Sequence, residues 1–228
     1  ASEREFVPNL HPFNWRGWWD FGTGALGDVG CHLIDIPFRT LNLKYPTDAE
    51  CSVASVFSKM WTPDYYPEGC PPSSFITLHF DATDKSKSPI EMTWSDGGIR
   101  PSHPDIIPAN DDIGGKNSAN GVLIIGEKGI ISTNINDSSP LMPKLYLNDG
   151  TTEFGPEVEE NFAGPMTETV LMGNLAIRSY MLQRENAEGA MEFFARKKLL
   201  WDGENMRITN LEEANQFVGR TYREGWEV

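Results

Sequence analysis

The hydrophobic positions of this chain begin with a helical period, change to a period of two, and return to a helical period. Residues 25–41 carry apolar side chains at roughly helical spacing, which predicts a helix that Pro37 kinks or ends. Residues 49–61, 73–80 and 89–96 alternate between apolar and polar side chains, as half-buried strands do. A polar segment separates the last two stretches, so the pattern predicts that they pair as an antiparallel hairpin.

Two further β-branched stretches follow at 121–134 and 143–149, and the first contains its own tight turn. The middle of the chain is therefore predicted to be a mostly antiparallel sheet with short connections. Two longer loops interrupt it, at 97–120 and 151–165, and loops of that length in a domain often bind ligands or cover sites, while others are disordered. Arg100, in the first loop, is either a polar contact for a ligand or a solvated loop cation.

The last third of the chain returns to helical spacing. Residues 166–183 predict a helix, and residues 210–218 predict another, with Asn210 as its cap and Glu213 as the third residue of a capping box. The order of helix, strands and helices indicates an α+β fold. We expect an open, mostly antiparallel β-sheet with helices packed on one face.

Composition narrows the possible partners. The 228 residues include 33 Asp and Glu against 19 Lys and Arg, a formal net charge of -14, without a basic run. Nucleic acid and anionic membrane surfaces are therefore not expected partners, and no apolar run is long enough to span a bilayer. Cys31, Cys51 and Cys70 form no C-x-x-C pair, so they are interpreted as buried or idle thiols, and the compartment stays open.

A glycine pattern at Gly22, Gly24 and Gly27 matches the G-x-G-x-x-G fingerprint of a dinucleotide-binding turn. That turn needs a buried parallel strand before it and an acidic residue at the end of a second strand about 20 residues later. The preceding residues are aromatic, polar and broken by glycine, and residues 41–48 contain a proline where the second strand should end. The sequence therefore predicts no Rossmann domain in this chain.

Three titratable side chains share one face of the first predicted helix. Asp28, His32 and Asp35 are spaced i, i+4 and i+7. A histidine titrates near neutral pH, and a carboxylate one turn away can fix its tautomer, which suits removal of a proton from an alcohol. Two alternatives stay open: an ordinary surface contact between the Asp28 and His32 side chains, and a divalent metal site.

A cluster of aromatic residues precedes this helix. Trp15, Trp18 and Trp19 could belong to the core, which is the commoner place for aromatic side chains. Arg16 and Asp20 lie between and beside them, however, and flat apolar faces next to charged donors and acceptors suit the faces and hydroxyls of a sugar ring. The cluster is thus either core or a carbohydrate-binding surface.

Five stretches of the sequence form a recognisable set: NWRGWWDFGTGALGDVGCHLIDIPF, WSDGG, NGVLIIGEKGII, TETVLMGNLAIR and WDGENMRITNLEEANQFVGRTYREGWEV. Together they closely resemble the second domain of the glucose-fructose oxidoreductase and inositol dehydrogenase family (Gfo/Idh/MocA), in particular the branch found in sugar-degrading bacteria. The resemblance covers nearly the whole chain. It implies a two-domain enzyme, in which residues 1–228 are a single C-terminal α/β substrate and oligomerisation domain.

The resemblance also implies a reaction and a set of site residues. The reaction is hydride transfer between a sugar or polyol carbinol and NAD or NADP, and its site residues fall on the first helix and its surroundings. By this similarity His32 is the catalytic acid/base and Asp28 assists it. The residues expected near the substrate are Trp15, Arg16, Trp19, Asp20, Asp35 and Arg100. The open sheet face is expected to support a homo-oligomer.

The chain departs from the family pattern in two places. No strand-glycine-helix unit precedes residue 21, and the lysine of the family's E-K-P motif is absent, so NAD or NADP is expected to be held by another part of a longer protein and not tightly by this chain. Residues 179–198 are longer than the family pattern predicts, which indicates an extended helix. Two other functions stay open: a glycoside-cleaving enzyme that recycles NAD, and a carbohydrate-binding or scaffold domain without chemistry.

Overall fold

The computed structural model shows an α+β protein, as the hydrophobic pattern predicts. It describes residues 8, 10, 13–111, 113, 120–134, 143–155 and 164–219. Segments of both predicted long loops, 112, 114–119 and 156–163, and the C-terminal residues 220–228 lie outside the described residues. Within the described ranges, no helix is long and apolar enough to cross a membrane.

Helices and strands follow one another along the described chain in a mixed order. The N-terminal half contains α1 (Gly24–Leu33), α2 (Asp35–Thr40), β1 (Asp48–Val53), β2 (Ser74–Phe80), β3 (Ile90–Ser95), β4 (Gly121–Gly126) and β5 (Gly129–Asn134). The C-terminal half contains β6 (Lys144–Leu147), β7 (Thr152–Phe154), α3 (Gly164–Tyr180), β8 (Gln183–Glu185), β9 (Met191–Phe193), β10 (Leu199–Asp202) and β11 (Arg207–Ile208). Short 3-10 helices lie at Trp15–Gly17 and Glu212–Phe217.

Every strand pair among the described residues is antiparallel. The larger sheet has the order β11-β10-β1-β2-β3, a second sheet has the order β4-β5-β6-β7, and β8 and β9 form a separate hairpin. The predicted hairpin of β2 and β3 is confirmed, with Phe75 opposite Ser95 and Phe80 opposite Ile90. The expectation of a single sheet in the middle of the chain is wrong, because β3 and β4 each end a different sheet.

The larger sheet has one covered face and one open face. Ile76, Leu78 and Phe80 on β2 point to the covered face and are at most 2% exposed. Helix α3 packs against β1 and β2 on that side, and α1 packs on α3. The alternate residues of β2, such as Thr77 and His79, lie on the other face and are half-buried. The period of two in the sequence therefore predicts correctly that helices cover one face only.

The three thiols are free, and their surroundings differ. Burial raises the pKa of Cys51 to about 12 and that of Cys70 to about 12. Cys31 is exposed on α1. The interpretation of buried thiols therefore holds in part for Cys51 and Cys70, which are half-buried, and not for Cys31.

The first predicted helix is divided in two. Helix α1 ends at Leu33 and α2 begins at Asp35, so the break falls at Ile34, one turn before Pro37. A proline has no N–H to bond the carbonyl four residues earlier, and its ring crowds that carbonyl. The break therefore follows Leu33, whose carbonyl would have accepted from an N–H of residue 37.

The strand predicted at 49–61 is too long, because β1 ends at Val53. Beyond it the chain forms a loop that makes its own hydrogen bonds. The Asp64 amide donates to the Val56 carbonyl at 2.7 Å, and the Asp64 carboxylate accepts from the amide and the hydroxyl of Ser58 at 2.8 Å and 2.5 Å. Such side-chain bonds to a neighbouring backbone compete with strand pairing.

The extended helix expected within 179–198 is also wrong. Helix α3 ends at Tyr180, and β8 and β9 form a hairpin. Its turn is closed by the side chain of Asn186, which accepts from the amides of Glu188 and Ala190, and by Gly189 at φ +77°. Asparagine and glycine are the residues that such turns require, so the turn residues explain why this segment is a hairpin and not a helix.

The predicted cap at Asn210 is wrong as well. The 3-10 helix begins at Glu212, its N-cap is Leu211, and no side chain caps it. Asn210 instead bonds to the sheet: its side chain accepts from the amide of Leu200 at 2.9 Å and donates to the carbonyl of Lys198 at 2.8 Å. An asparagine side chain can bond the backbone of a strand as readily as that of a helix end, and here Asn210 bonds the backbone at β10.

Candidate functional site

The loop before α1 is held in place by a short antiparallel bridge. The amide of Trp19 donates to the carbonyl of Glu68 at 3.0 Å, and the amide of Cys70 donates to the carbonyl of Gly17 at 2.8 Å. The residues before Gly22 therefore form a 3-10 helix and a turn, not the buried strand of a dinucleotide site. The expectation that this chain has no Rossmann unit at its glycine pattern is confirmed.

Gly22 has a steric role in this loop. A Cβ on Gly22 would lie 2.4 Å from both the Cα and the carbonyl oxygen of Arg16, which real Cβ atoms do not approach so closely. The chain can thus fold back against the backbone of Arg16 because residue 22 has no side chain. This fixes where the Arg16 side chain begins.

Arg16 and Asp28 form an ion pair at the outer surface of α1. Nη1 of Arg16 donates to Oδ2 of Asp28, and the two side chains are 34% and 37% exposed. The guanidinium also lies over the ring of Phe13, with its central carbon 3.9 Å from the ring centroid. Arg16 is therefore held by a charge and by an aromatic face.

His32 lies one turn beyond Asp28 on the same helix and is exposed. The hydrogen bond of the Asp28 carboxylate goes to Arg16, and among the described contacts none joins Asp28 to His32. The sequence hypothesis pairs Asp28 with His32, whereas the structure shows Asp28 engaged by a residue from the preceding loop. His32 remains accessible to a ligand from solvent.

The tryptophans of the loop differ in exposure. Trp15 is 44% exposed, whereas Trp19 is half-buried and packs against the main core. The guanidinium of Arg178 lies 5.5 Å from the centroid of the Trp19 ring. Asp20 is half-buried in the turn that follows. Of these residues, Trp15 is the one that offers an open aromatic surface beside Arg16.

Asp35 lies at the start of α2, away from the Arg16–Asp28 pair. One of its oxygens lies 3.8 Å from Nη1 of Arg39, and the other is buried without a hydrogen-bond partner. Asp35 follows the break at Ile34, and among the described contacts none joins it to Asp28 or His32.

A cleft of about 590 Å³ lies next to this surface. Its walls are α1 and α2 on one side and the strands β3 and β4 on the others, and Arg100 lies at its rim. Val29, which lines the cleft, is one residue from Asp28, so the two side chains are about 100° apart around the helix. The structure therefore places Arg100 at the cleft and Arg16 with Asp28 on the neighbouring face of α1.

Within the described residues, no group of three or more His, Cys, Asp or Glu side chains is arranged to hold a metal ion.

Asn174 is a candidate residue that the sequence patterns do not single out. It lies on α3, is 4% exposed, and neither atom of its carboxamide has a hydrogen-bond partner among the described residues. Its amide nitrogen is 3.5 Å from the position of a Cβ on Gly27, so it lies beneath α1. An unsatisfied buried polar group costs about 1–3 kcal/mol, which makes an asparagine unusual here. The only signal in the sequence is one amide within an apolar helical face.

The loop that carries Arg100 is fastened to the second sheet. Ile107 is 2% exposed and packs with Ile130 and Tyr146. Asp111 accepts a hydrogen bond from Lys144 at 2.5 Å and another from Tyr146 at 2.8 Å. The described part of this loop is therefore anchored at its far end, and we name the group Asp111, Lys144 and Tyr146 the loop anchor.

The loop anchor is expected to open in acid. Hydrogen bonds from Lys144 and then Tyr146 hold the pKa of Asp111 below its ordinary value of 3.8. A lowered pKa stabilises the anchor above the ordinary carboxyl pKa, and this contribution is lost as the pH falls through the pKa of the folded state. As the pH falls, the methyl signals of Ile107 in NMR spectra should therefore shift towards the position of an Ile107 that no longer packs against the second sheet. This shift should occur before the whole protein unfolds.

The control for this experiment is Asp111→Asn, which has no titrating carboxylate. We expect its Ile107 signal to be near the released position already at neutral pH and to show no separate acid transition. An acid transition of the Ile107 signal that persists in Asp111→Asn would contradict the role of Asp111.

The sequence matches no protein-family model, and it matches no curated protein. The class of protein that the fold defines is an α+β protein with open antiparallel sheets.

Proposed function

We propose that this chain is the substrate and oligomerisation domain of an NAD- or NADP-dependent sugar or polyol oxidoreductase of the Gfo/Idh/MocA type. The observation that supports the proposal best is the outer surface of α1, where Asp28 and His32 lie one turn apart and Asp28 is bonded to Arg16, the residue next to the exposed Trp15. An exposed imidazole can take a proton from a sugar hydroxyl, and an arginine with an aromatic neighbour can orient the ring.

The cofactor does not fit the described part of this chain. A dinucleotide site needs parallel strands and a glycine turn between a strand and a helix, whereas every described strand pair is antiparallel. We therefore assign the binding of NAD or NADP to a different part of a longer protein. In this proposal the chain supplies the sugar site and the imidazole of His32, which accepts the hydroxyl proton.

The open face of the larger sheet supports self-association in the same proposal. It carries a polar network in which Nδ1 of His79 lies 2.5 Å from Asp48 and Nε2 lies 3.5 Å from Glu91. Lys198 lies 3.5 Å from the same oxygen of Asp48. A face of mixed charge that none of the described helices covers can meet a second copy of itself about a twofold axis.

A second candidate function is a carbohydrate-binding domain without chemistry. The observation that favours it is the engagement of Asp28 by Arg16, because His32 then has no carboxylate to orient it among the described contacts. Glycoside cleavage with recycling of NAD is a variant of the first proposal. It is distinguished by release of sugar from a glycoside without net formation of NADH.

The proposal is tested by comparing the chain alone with the longer protein that contains it. Calorimetry of the chain alone should show no heat of NAD or NADP binding, and the longer protein should form NADH or NADPH with a sugar or polyol. Tight binding of NAD by the chain alone would contradict the proposal. Sugar binding by the longer protein without turnover of any kind would favour the carbohydrate-binding alternative.

A further inference from the structure

The guanidinium of Arg16 has one edge engaged and one edge open. Asp28 accepts from Nη1, while Nε and Nη2 have no hydrogen-bond partner among the described residues. Nε and Nη2 are the two donors on the same side of a guanidinium, and they form the pair that binds two oxygens at once. The ion pair therefore leaves the bidentate edge of Arg16 available.

This edge is held in a fixed place by three independent features. The backbone of Arg16 packs against Gly22, its guanidinium lies on Phe13, and its Nη1 is bonded to Asp28. A guanidinium that is already ordered loses less freedom when it binds a ligand. An arginine fixed in this way and still 34% exposed is suited to recognition.

We infer that Arg16 binds two neighbouring hydroxyl groups of a neutral sugar through Nε and Nη2, and that Asp28 is the positioning residue that holds Arg16. This inference rests on the proposed function and changes one part of it, because Asp28 then acts on Arg16 and not on His32. Two adjacent ring hydroxyl oxygens can accept from the two parallel N–H groups as a carboxylate would.

Charge favours a neutral ligand over an acidic one. Asp28 already balances the charge of Arg16, so a carboxylate would bring a second negative charge to the pair. The chain as a whole carries a formal net charge of -14, which repels anions at long range. A vicinal diol accepts the same two hydrogen bonds without that repulsion.

The test uses D-glucose and D-glucuronate, two sugars that differ only in the oxidation state of one terminal carbon. Spectra of the arginine Nε–H groups of the whole chain are recorded during titration with each sugar, and Arg16→Lys identifies the signal of Arg16. We expect a saturable shift of the Arg16 signal with glucose and weaker binding of glucuronate. Tighter binding of glucuronate would overturn the preference for a neutral ligand.

A double-mutant cycle separates positioning by Asp28 from direct contact. We expect Asp28→Asn and Arg16→Met each to weaken glucose binding about tenfold, and Asp28→Asn to have almost no further effect in the Arg16→Met background. Independent, additive losses would overturn the positioning role. Arg16→Lys keeps the charge and most of the side chain, so it controls for a folding defect in Arg16→Met. We expect that Arg16→Lys does not restore the glucose binding that Arg16→Met loses.

Arg39→Met is the matched control, because Arg39 lies near Asp35 on α2 and is outside the proposed contact. It should leave glucose binding unchanged. If glucose binding depends on Arg16 but the longer protein transfers no hydride, the proposed reaction fails and this inference stands. If glucose binds regardless of Arg16, or if neither sugar binds, the inference fails alone, and the proposed reaction is still judged by formation of NADH or NADPH in the longer protein.

Discussion

Alanine in place of Gly97 is expected to lower the free energy of unfolding by about 3 kcal/mol or more. Gly97 follows β3 and has φ +64°, a backbone conformation that residues with a Cβ rarely adopt. A Cβ at this position would lie 2.2 Å from the carbonyl oxygen of Pro72 and 2.6 Å from the Cα of Ser73. Both contacts are with backbone, which cannot move aside as the end of a side chain can.

The corner that Gly97 occupies is fixed by the preceding residue. The Asp96 carboxylate accepts from the amide of Ser74 at 2.7 Å, from the hydroxyl of Ser74 at 2.6 Å and from Nε1 of Trp94 at 2.7 Å. Relief of the clash at Gly97 would have to break some of these bonds. The cost of an alanine there is therefore the sum of steric overlap, backbone strain and lost hydrogen bonds.

Gly98→Ala is the matched control for Gly97→Ala. Gly98 has φ +94°, so an alanine is strained there too, but no atom lies within 4 Å of its Cβ position. We expect a loss of about 1–2 kcal/mol, attributable to backbone strain alone. Urea denaturation of both variants measures the difference, and equal losses would show that the overlap with Pro72 is relieved without cost.

The second large effect concerns catalysis in the longer protein. If His32 exchanges a proton with the sugar hydroxyl, His32→Ala should lower kcat by about 100- to 10,000-fold, which is the usual contribution of a positioned acid or base. Because His32 is exposed on α1, its removal should leave the free energy of unfolding almost unchanged. Steady-state kinetics and thermal denaturation of the same variant measure the two quantities.

Cys31→Ala is the control for His32→Ala. Cys31 is the exposed neighbour of His32 on the same helix, and no step of the proposed reaction involves it. We expect its kcat to equal that of the unmodified protein. Unchanged turnover in His32→Ala would remove His32 from the mechanism, and an equal loss in both variants would point to a disturbed helix.

The strands were the most predictable part of the fold. Strands β2 and β3 follow from the alternation of apolar and polar residues, because a sheet with one covered face imposes that pattern, whereas β4 and β5 follow from their β-branched residues. The division into two sheets could not be predicted, because the sequence does not show whether the strands on either side of the long loop at 97–120 pair with each other. The hairpin of β8 and β9 is not predicted, because the extended helix at 179–198 is inferred from the length of that segment and not from the turn residues Asn186 and Gly189.

The contacts of the proposed site could not be predicted from helical spacing. Helical spacing suggests partners one turn away, so Asp28 was expected to meet His32. Its actual partner, Arg16, is 12 residues earlier and reaches Asp28 only because the chain turns back at Gly22. The unsatisfied amide of Asn174 could not be predicted either, because its burial depends on the packing of α1 against α3.

The arrangement of β3 and β4 around the cleft has a consequence for misassembly. Each is the last strand of its sheet, and exposed last strands are the usual template for aggregation between molecules. Here both edges line one cleft with α1 and α2 against it, so an approaching strand from another molecule has to enter between them. Exposure of the β3 and β4 edges thus depends on how closely the two sheets are held. Low pH, which is expected to release the loop anchor, is the condition under which these edges are most exposed to pairing with another molecule.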